Sequence, residues 1–237
     1  MNPRIVEVRK NILQKNDVAA ARLRDRFQAK RMFVASFVSS PGAGKTSFLE
    51  RTLSLAGRDH PLAALVGDLA TERDAERLRH SGVPVRQITT GTVCHLDAEM
   101  IERALQDWPP HDIEWLFVEN VGNLVCPSSY DLGEHMRVVL LSVTEGEDKP
   151  LKYPTIFNTA DVAIITKIDL AAAVEFDRQA LLTNIAHVRP GLEVLEVSAK
   201  TGEGFDRWMA LVQQRATAAK ASAPAPATTG QGTLQYL

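Results

Sequence analysis

Short apolar runs alternate with longer amphipathic stretches along most of the chain. Residues 32–38, "MFVASFV", combine apolar, β-branched and aromatic residues in the pattern typical of a buried strand. Similar runs follow at "PLAALVGD", "VPVRQI", "DIEWLFVEN", "MRVVLLSVTEG", "DVAIITKID" and "LEVLEVS". Helical patterns such as "TSFLERTLSLAG" lie between them, and strands that alternate with helices form βαβ units. We therefore predict an α/β fold with a mostly parallel β-sheet flanked by helices on both faces.

The two ends of the chain differ from this alternating part. Residues 3–30 carry apolar side chains at mixed three- and four-residue spacing, which predicts an amphipathic helix. Residues 218–237 are rich in Ala, Pro, Thr and Gly, a composition typical of disordered segments. We predict an N-terminal helical extension at 1–30, one α/β domain at 31–217 and a disordered tail at 218–237.

Composition and charge exclude several classes of function. The chain is 45% hydrophobic and 24% charged, with a net charge of −2, so no basic surface favours nucleic acid as a partner. No apolar stretch has the roughly 18–20 residues that span a bilayer, and the charged N-terminus lacks a signal core, so we expect no membrane and a cytoplasmic location. Because the cytosol is reducing, the two cysteines of the chain are expected to be free thiols or metal ligands.

A phosphate-binding motif follows the first strand directly. The sequence "SSPGAGKT", residues 39–46, matches the P-loop pattern except that Ser39 stands where the first glycine is usual. Small residues let backbone N–H groups surround phosphate oxygens, Lys45 would contact the outer phosphates, and the Thr46 hydroxyl would hold Mg²⁺. The predicted phosphate-binding residues are Gly42, Ala43, Gly44, Lys45, Thr46 and Ser47.

Two later segments indicate guanine as the base. "TKID", residues 166–169, ends a predicted strand at the edge where ligands of such sheets bind. Asp169 can accept hydrogen bonds from both the N1–H and the N2 amino group of guanine, and adenine offers neither of these donors. Lys167 can cover the base with its stem, and Ser198, Ala199 and Lys200 follow the next strand. These segments resemble the Asn-Lys-x-Asp and Ser-Ala-Lys signatures of GTPases, with Thr166 in place of asparagine. We therefore interpret 31–217 as a P-loop GTPase domain that binds GTP and GDP.

Two strand-end carboxylates are candidates for the hydrolytic site. Asp68 and Glu119 each end a predicted strand on the nucleotide side, and we assign both to Mg²⁺ or its waters, the alternative being that they cap the following turns. Gly122 follows Glu119 by three residues, the spacing at which a glycine N–H of GTPases contacts the γ-phosphate. Asn123 stands where many fast GTPases have a glutamine that orients water. We predict Lys45, Asp68 and Asn123 as catalytic residues and a slow intrinsic turnover, which is typical of a switch.

The two cysteines lie in predicted loops. Cys94 has His95 beside it, and Cys126 follows Gly122 by four residues. Thiolate and imidazole ligands suit zinc, nickel or copper, but a lone cysteine is more often a small buried apolar residue, and the chain has no Cys-x-x-Cys pair. If the three residues do bind a metal, two chains meeting at these loops would complete the ligand set.

Several segments together resemble a known family. "SSPGAGKT", "GDLATERDAERL", "TGTVCHLDA", "VENVGNLVCP" and "SVTEGEDKPLKYP", in this order, are similar to the nickel-incorporation GTPases of NiFe-hydrogenase maturation, the HypB family. The resemblance implies a GTPase that forms a homodimer with GTP, binds Ni²⁺ or Zn²⁺ at the interface and helps to deliver nickel to the hydrogenase large-subunit precursor. It also implies a small zinc-containing nickel chaperone as partner. By matching segments it implies Cys94, His95 and Cys126 as metal ligands and Asp68 and Glu119 near Mg²⁺.

Other functions fit parts of the same sequence. A maturation GTPase for urease or for a cobalamin-type client would share the P-loop and the guanine segments. A nucleotide-gated binding protein would use dimerisation itself as its output, with the metal as a stabiliser. A third alternative is an ATPase of similar fold, in which ATP would displace bound GDP as well as GTP does and the role assigned to Asp169 would be wrong.

Overall fold

The structure, a computed structural model, describes residues 3–108 and 112–223. Seven strands lie in these ranges: β1 (Phe33–Ser39), β2 (Leu62–Asp68), β3 (Val85–Thr89), β4 (Trp115–Glu119), β5 (Met136–Ser142), β6 (Val162–Thr166) and β7 (Glu193–Glu196). The helices of the same ranges are α1 (Pro3–Ala29), α2 (Lys45–Ala56), α3 (Arg73–Arg79), α4 (Ala98–Ala104), α5 (Lys149–Lys152), α6 (Pro154–Thr159), α7 (Arg178–Val188) and α8 (Phe205–Ser222). Short 3-10 turns lie at Cys126–Ser129 and Ile168–Leu170.

The strands form one sheet in the order β3-β2-β4-β1-β5-β6-β7, and every recorded pairing is parallel. β1 lies in the middle of the sheet: β2, β3 and β4 lie on one side of it, and β5, β6 and β7 lie on the other. In parallel sheets a ligand crevice opens at the carboxyl ends of the strands where the strand order changes direction. This edge of the sheet carries the loops that follow β1, β2, β4 and β6, and the predicted α/β fold is confirmed.

Helices cover both faces of the sheet, as the sequence predicted. On one face, Phe37 of β1 packs with Phe48 of α2 and Trp208 of α8, with ring centroids 5.0–6.0 Å apart. On the other face, α1 and α4 form one apolar cluster over β2 and β4, and α6 and α7 form another over β5 and β6. Among the described residues, none of the helices combines the length and apolar character needed to cross a membrane.

Helices lie at both ends of the predicted α/β domain. α1 matches the predicted extension closely, but its Leu23 and Phe27 are buried in the same cluster as strand residues, so it is part of the core of the domain. α8 continues to Ser222, five residues beyond the predicted end of the domain at 217, because "ATAAKAS" is rich in strong helix formers. The rest of the predicted tail, 224–237, lies outside the described residues.

The charged, proline-containing sequence "GEDKPLKYP", residues 146–154, fits a partner or dimer contact and a solvated loop equally well, and two short helices begin in this segment. α5 and α6 each begin with a proline in the first turn, at Pro150 and Pro154. Proline suits this position because the first helical N–H groups have no partner within the helix. Ile156 and Phe157 of α6 are fully buried, so this segment is anchored in the core.

Candidate functional site

The P-loop follows β1 and leads into α2. Gly42 and Gly44 have positive φ angles of 77° and 88°, conformations that glycine adopts without the steric penalty of a Cβ atom. Ser39 is still part of β1, and its φ is not positive. Ser39 replaces the usual first glycine at a position that needs no left-handed conformation, and the two left-handed positions of the loop still carry glycine. The loop borders a cavity of about 550 Å³, which Asp68, Gly122 and Lys167 also line.

A buried ion pair lies at the base of this cavity. The Lys45 ammonium donates to Glu119 Oε1 at 2.7 Å, and the Thr46 hydroxyl donates to the same oxygen at 2.7 Å. Lys45 is 9% exposed and Glu119 only 1%. Glu119 therefore lies at the nucleotide edge, where the sequence predicted it, and it joins the end of β4 to the first turn of α2.

The same residues offer oxygen donors of the kind that Mg²⁺ prefers. Glu119 Oε2 is buried and, within the described residues, has no hydrogen-bond partner, so one carboxylate oxygen is left for an ion or its water. Asp68 lines the cavity, but its carboxylate accepts from the Leu69 N–H and the Thr71 hydroxyl, the turn-capping arrangement that was the alternative for this residue. The donor set of Thr46, Glu119 and Asp68 fits a magnesium ion, whose charge would help to neutralise the phosphates.

The second cavity, of about 740 Å³, adjoins the first. Lys167, Asp169, Ala199 and Lys200 line it, as expected for a base pocket. The buried Ser198 hydroxyl donates to Asp169 Oδ1 at 2.7 Å, and its oxygen accepts from the Thr201 N–H. Ser198 therefore holds the carboxylate of Asp169 in place beside the cavity.

Thr166 joins the base segment to the P-loop. Its hydroxyl donates to the Ala43 carbonyl at 2.5 Å, and the neighbouring Lys167 ammonium donates to the Gly42 carbonyl at 2.7 Å. Thr166 is 3% exposed, so this bond is shielded from water. The threonine that replaces the usual asparagine thus fixes the base segment to the phosphate segment.

Thr166→Ala is expected to lower the free energy of unfolding by about 1–2 kcal/mol and to weaken GDP binding, because the Ala43 carbonyl loses a buried partner. Thr166→Ser keeps the hydroxyl and serves as the matched control. Denaturant unfolding and GDP titration of both variants measure the two effects. Equal behaviour of the alanine and serine variants would show that the hydroxyl makes no contribution.

The two cysteines and His95 lie together although 32 positions separate Cys94 from Cys126. Their ligand atoms are all within 4.8 Å of one another, and the two sulfur atoms are 2.8 Å apart. The His95 ring stacks on Tyr130 at 3.9 Å between centroids, and burial lowers the pKa of His95 against a smaller opposing effect of Asp97. The lowered pKa favours the neutral imidazole, which is the form that binds metals. Sulfur and imidazole donors in this arrangement suit Ni²⁺ or Zn²⁺.

Asparagine side chains connect this cluster to the end of β4. Asn120 is buried directly after Glu119, and its Oδ1 accepts from the Leu96 N–H at 3.0 Å, one residue beyond His95. Asn123 donates to the Cys94 carbonyl at 3.3 Å. The side chain of Asn123 thus contacts the cysteine loop, and Asn123 is not among the residues that line the phosphate cavity. Its predicted catalytic role stays a prediction.

Two cations near the nucleotide cavities were missed by the sequence reasoning. Arg77 of α3 lines both cavities and donates to the Ser47 hydroxyl and to Glu50. Lys149 of α5 points to the P-loop, with its ammonium 3.4 Å from the Ser40 hydroxyl. The position of Arg77 could have been anticipated, since α3 directly follows the strand that ends at Asp68.

A parallel sheet with a P-loop, a buried Lys–Glu pair under the phosphate cavity and an aspartate in the adjoining base cavity defines a P-loop GTPase, an enzyme that hydrolyses GTP to GDP and phosphate. Residues 33–196 match the family model described as the CobW/HypB/UreG nucleotide-binding domain. The chain belongs to this group and, within it, to the HypB family.

Relatives of known identity support this assignment. The chain is 49% identical over 212 residues to the hydrogenase maturation factor HypB of Azotobacter chroococcum mcd 1, covering 90% of this chain and 70% of that protein. It is 50% identical to HypB of Azotobacter vinelandii over 92% of this chain and 72% of that protein. Among solved structures, HypB from Helicobacter pylori in complex with nickel superposes with a TM-score of 0.82 at 40% identity, covering 89% of this chain and 99% of that chain.

Proposed function

We propose that this protein is a GTP-hydrolysing metallochaperone. It binds Ni²⁺ or Zn²⁺ through Cys94, His95 and Cys126 and helps to insert nickel into the large-subunit precursor of NiFe-hydrogenase. Two comparisons support the proposal: the curated relatives are named hydrogenase maturation factors, and the Helicobacter pylori relative was solved in complex with nickel. Cysteine and histidine ligands placed at the nucleotide edge give this chain the chemistry for such cargo.

One observation carries the proposal: a single short segment serves both the phosphate cavity and the metal ligands. Gly122 lines the cavity, and its Cα lies so close to the P-loop that an added Cβ would be 3.3 Å from the Pro41 backbone. Asn123 holds the Cys94 carbonyl, and Cys126 follows three residues later. A movement of Gly122 in response to the γ-phosphate would therefore move both sulfur ligands.

We further propose that metal binding involves two chains. Three donors per chain fall short of the four that a closed site commonly uses, and a second copy would supply the rest. Val125, beside Cys126, is 61% exposed, so an apolar side chain borders the cluster on the outside. In this proposal GTP favours the homodimer, and a small zinc-containing nickel chaperone supplies the metal.

The test is the affinity for Ni²⁺, measured by chelator competition with GDP or with a non-hydrolysable GTP analogue bound. We expect the two affinities of the wild type to differ by about 5- to 150-fold, the usual range of coupling between two sites. Equal affinities in the two states would contradict the proposed switching. If dimerisation depends on the bound nucleotide but the affinity for the metal does not, the result would favour a nucleotide-gated binding protein in which the metal only stabilises the dimer.

Gly122→Ala provides the matched variant for this test. Its Cβ enters the tight contact with Pro41 and changes how the segment responds to the phosphate. The ratio of the two affinities is expected to fall towards one. Ni²⁺ is still expected to bind with GDP present, because the three ligands are unchanged.

A further inference from the structure

Asn16 is an unusual residue for the middle of a helix. It belongs to α1, which precedes the part of the chain matched by the family model, and it is only 5% exposed. Asparagine inside a helix normally faces water, and a buried amide requires partners for both of its ends. Asn16 has both partners: one is the first residue of α4, just after the loop of Cys94 and His95, and the other follows the 3-10 turn that begins at Cys126.

The contacts of this amide span the two loops. Asn16 Oδ1 accepts from the Ala98 N–H at 2.9 Å, and Ala98 follows His95 by three residues. Asn16 Nδ2 donates to the Asp131 carbonyl at 2.9 Å, and Asp131 follows Cys126 by five residues. A single side chain thus bridges the segment of Cys94 and His95 to the segment of Cys126.

Neighbouring contacts fix α1 against α4 and against the segment that follows Cys126. Arg24 forms an ion pair with Asp131 at 2.7 Å, and Arg22 forms one with Glu102 of α4 at 2.9 Å. Gly133 lies so close to α1 that an added Cβ would be 2.7 Å from the Ala20 carbonyl. Exposed ion pairs contribute little on their own, so the shielded amide of Asn16 is the contact best able to set the separation of the loops.

We propose that Asn16 is a positioning residue for the metal cluster, holding the Cys94–His95 loop and the Cys126 loop at the separation that lets their ligand atoms share one ion. The inference deepens the proposed function and rests on it for the identity of the ion. An amide is needed because the bridge requires an acceptor at one end and a donor at the other. The simpler alternative is that Asn16 only satisfies the first N–H of α4 and adds stability.

The variant Asn16→Asp distinguishes these roles. It keeps the acceptor for Ala98 and places a carboxylate oxygen against the Asp131 carbonyl, so the second contact becomes repulsive. Phe27→Leu is the matched control, because Phe27 is a buried residue of α1 with no polar contact to either loop. Removal of an outer contact that orients a ligand typically costs 10- to 100-fold in metal affinity.

Two readouts are compared across the wild type and both variants. The first readout is the affinity for Ni²⁺, measured together with the thiolate-to-nickel absorption band. Asn16→Asp is expected to weaken Ni²⁺ binding about 10- to 100-fold and to shift this band. Phe27→Leu is expected to change neither the affinity nor the band. The second needs no metal: the rate at which diamide oxidises Cys94 and Cys126 to a disulfide, being itself reduced to the hydrazine. One thiol first adds to the azo bond, and the second thiol then attacks the sulfur of this adduct and releases the hydrazine. The rate of this closing step follows the effective concentration of one thiol at the other and is expected to fall at least about tenfold in Asn16→Asp.

The outcomes separate the inference from the proposed function. If Asn16→Asp matches Phe27→Leu in the rate of thiol pairing, the positioning role is wrong, whatever the metal data show. If the wild type fails to bind Ni²⁺ while pairing is slowed only in Asn16→Asp, the metallochaperone proposal fails and the positioning of the loops by Asn16 stands.

Discussion

Replacing Lys45 by alanine is expected to lower GTP hydrolysis by about 10²- to 10³-fold, because a charge that stabilises the developing phosphate charge is lost. The same change is expected to lower the free energy of unfolding of the nucleotide-free protein by about 2–4 kcal/mol. Loss of one partner of a buried ion pair typically costs about 3–5 kcal/mol. The expected loss is somewhat smaller for Lys45 because this residue borders an open cavity, from which water can reach Glu119. Hydrolysis assays and denaturant unfolding measure the two effects.

The double variant Lys45→Met with Glu119→Gln separates stability from activity. It removes both charges and keeps an acceptor for the Thr46 hydroxyl, so most of the lost stability is expected to return while hydrolysis stays low. A Lys45→Ala protein as stable as the wild type would show that water compensates Glu119 fully. A Lys45→Ala protein that hydrolyses GTP normally would remove Lys45 from the proposed catalytic residues.

Replacing Cys126 by serine is expected to weaken Ni²⁺ binding at least about 100-fold. Loss of an outer contact to a metal ligand already costs about 10- to 100-fold, and a lost ligand costs more. The hydroxyl of serine has nearly the same size as the thiol but is a poor ligand for a soft site. Chelator competition with GDP present measures the affinity.

The control for Cys126→Ser is His80→Ala. His80 follows α3, is exposed and lies outside the cluster of Cys94, His95 and Cys126, so its removal is expected to leave the affinity for Ni²⁺ unchanged. A Cys126→Ser protein that binds Ni²⁺ as tightly as the wild type would exclude this sulfur as a ligand, and the metal site would then have to be sought elsewhere.

The sheet and the nucleotide cavities follow from local sequence signals. A buried parallel strand is a short continuous apolar run, and the P-loop and guanine segments come directly after such runs. The strand ends therefore place Lys45, Asp68 and Asp169 at one edge without knowledge of the packing. The replacements at Ser39 and Thr166 could not be judged in this way, because their effect depends on φ angles and on a contact across 123 positions of sequence.

The metal cluster and its support depend on tertiary contacts that carry weak local signals. Cys94 and Cys126 have no Cys-x-x-Cys spacing, so the residues alone favoured buried thiols over a metal site, and only the family resemblance favoured a metal. Asn16 reads as an ordinary polar position of an amphipathic helix, and Arg77 as a solvated one. Each acquires a role only because another element packs against it.

The adjoining cavities also bear on how a nucleotide leaves. Gly44, Ser47, Arg77 and Lys167 border both of them, so the base and the phosphates are two linked halves of one bivalent ligand. When one half of such a ligand detaches, the other keeps it at high local concentration and recapture competes with escape. Fast exchange therefore requires the common wall to loosen, and whatever displaces Arg77 or Lys167 would act as an exchange factor.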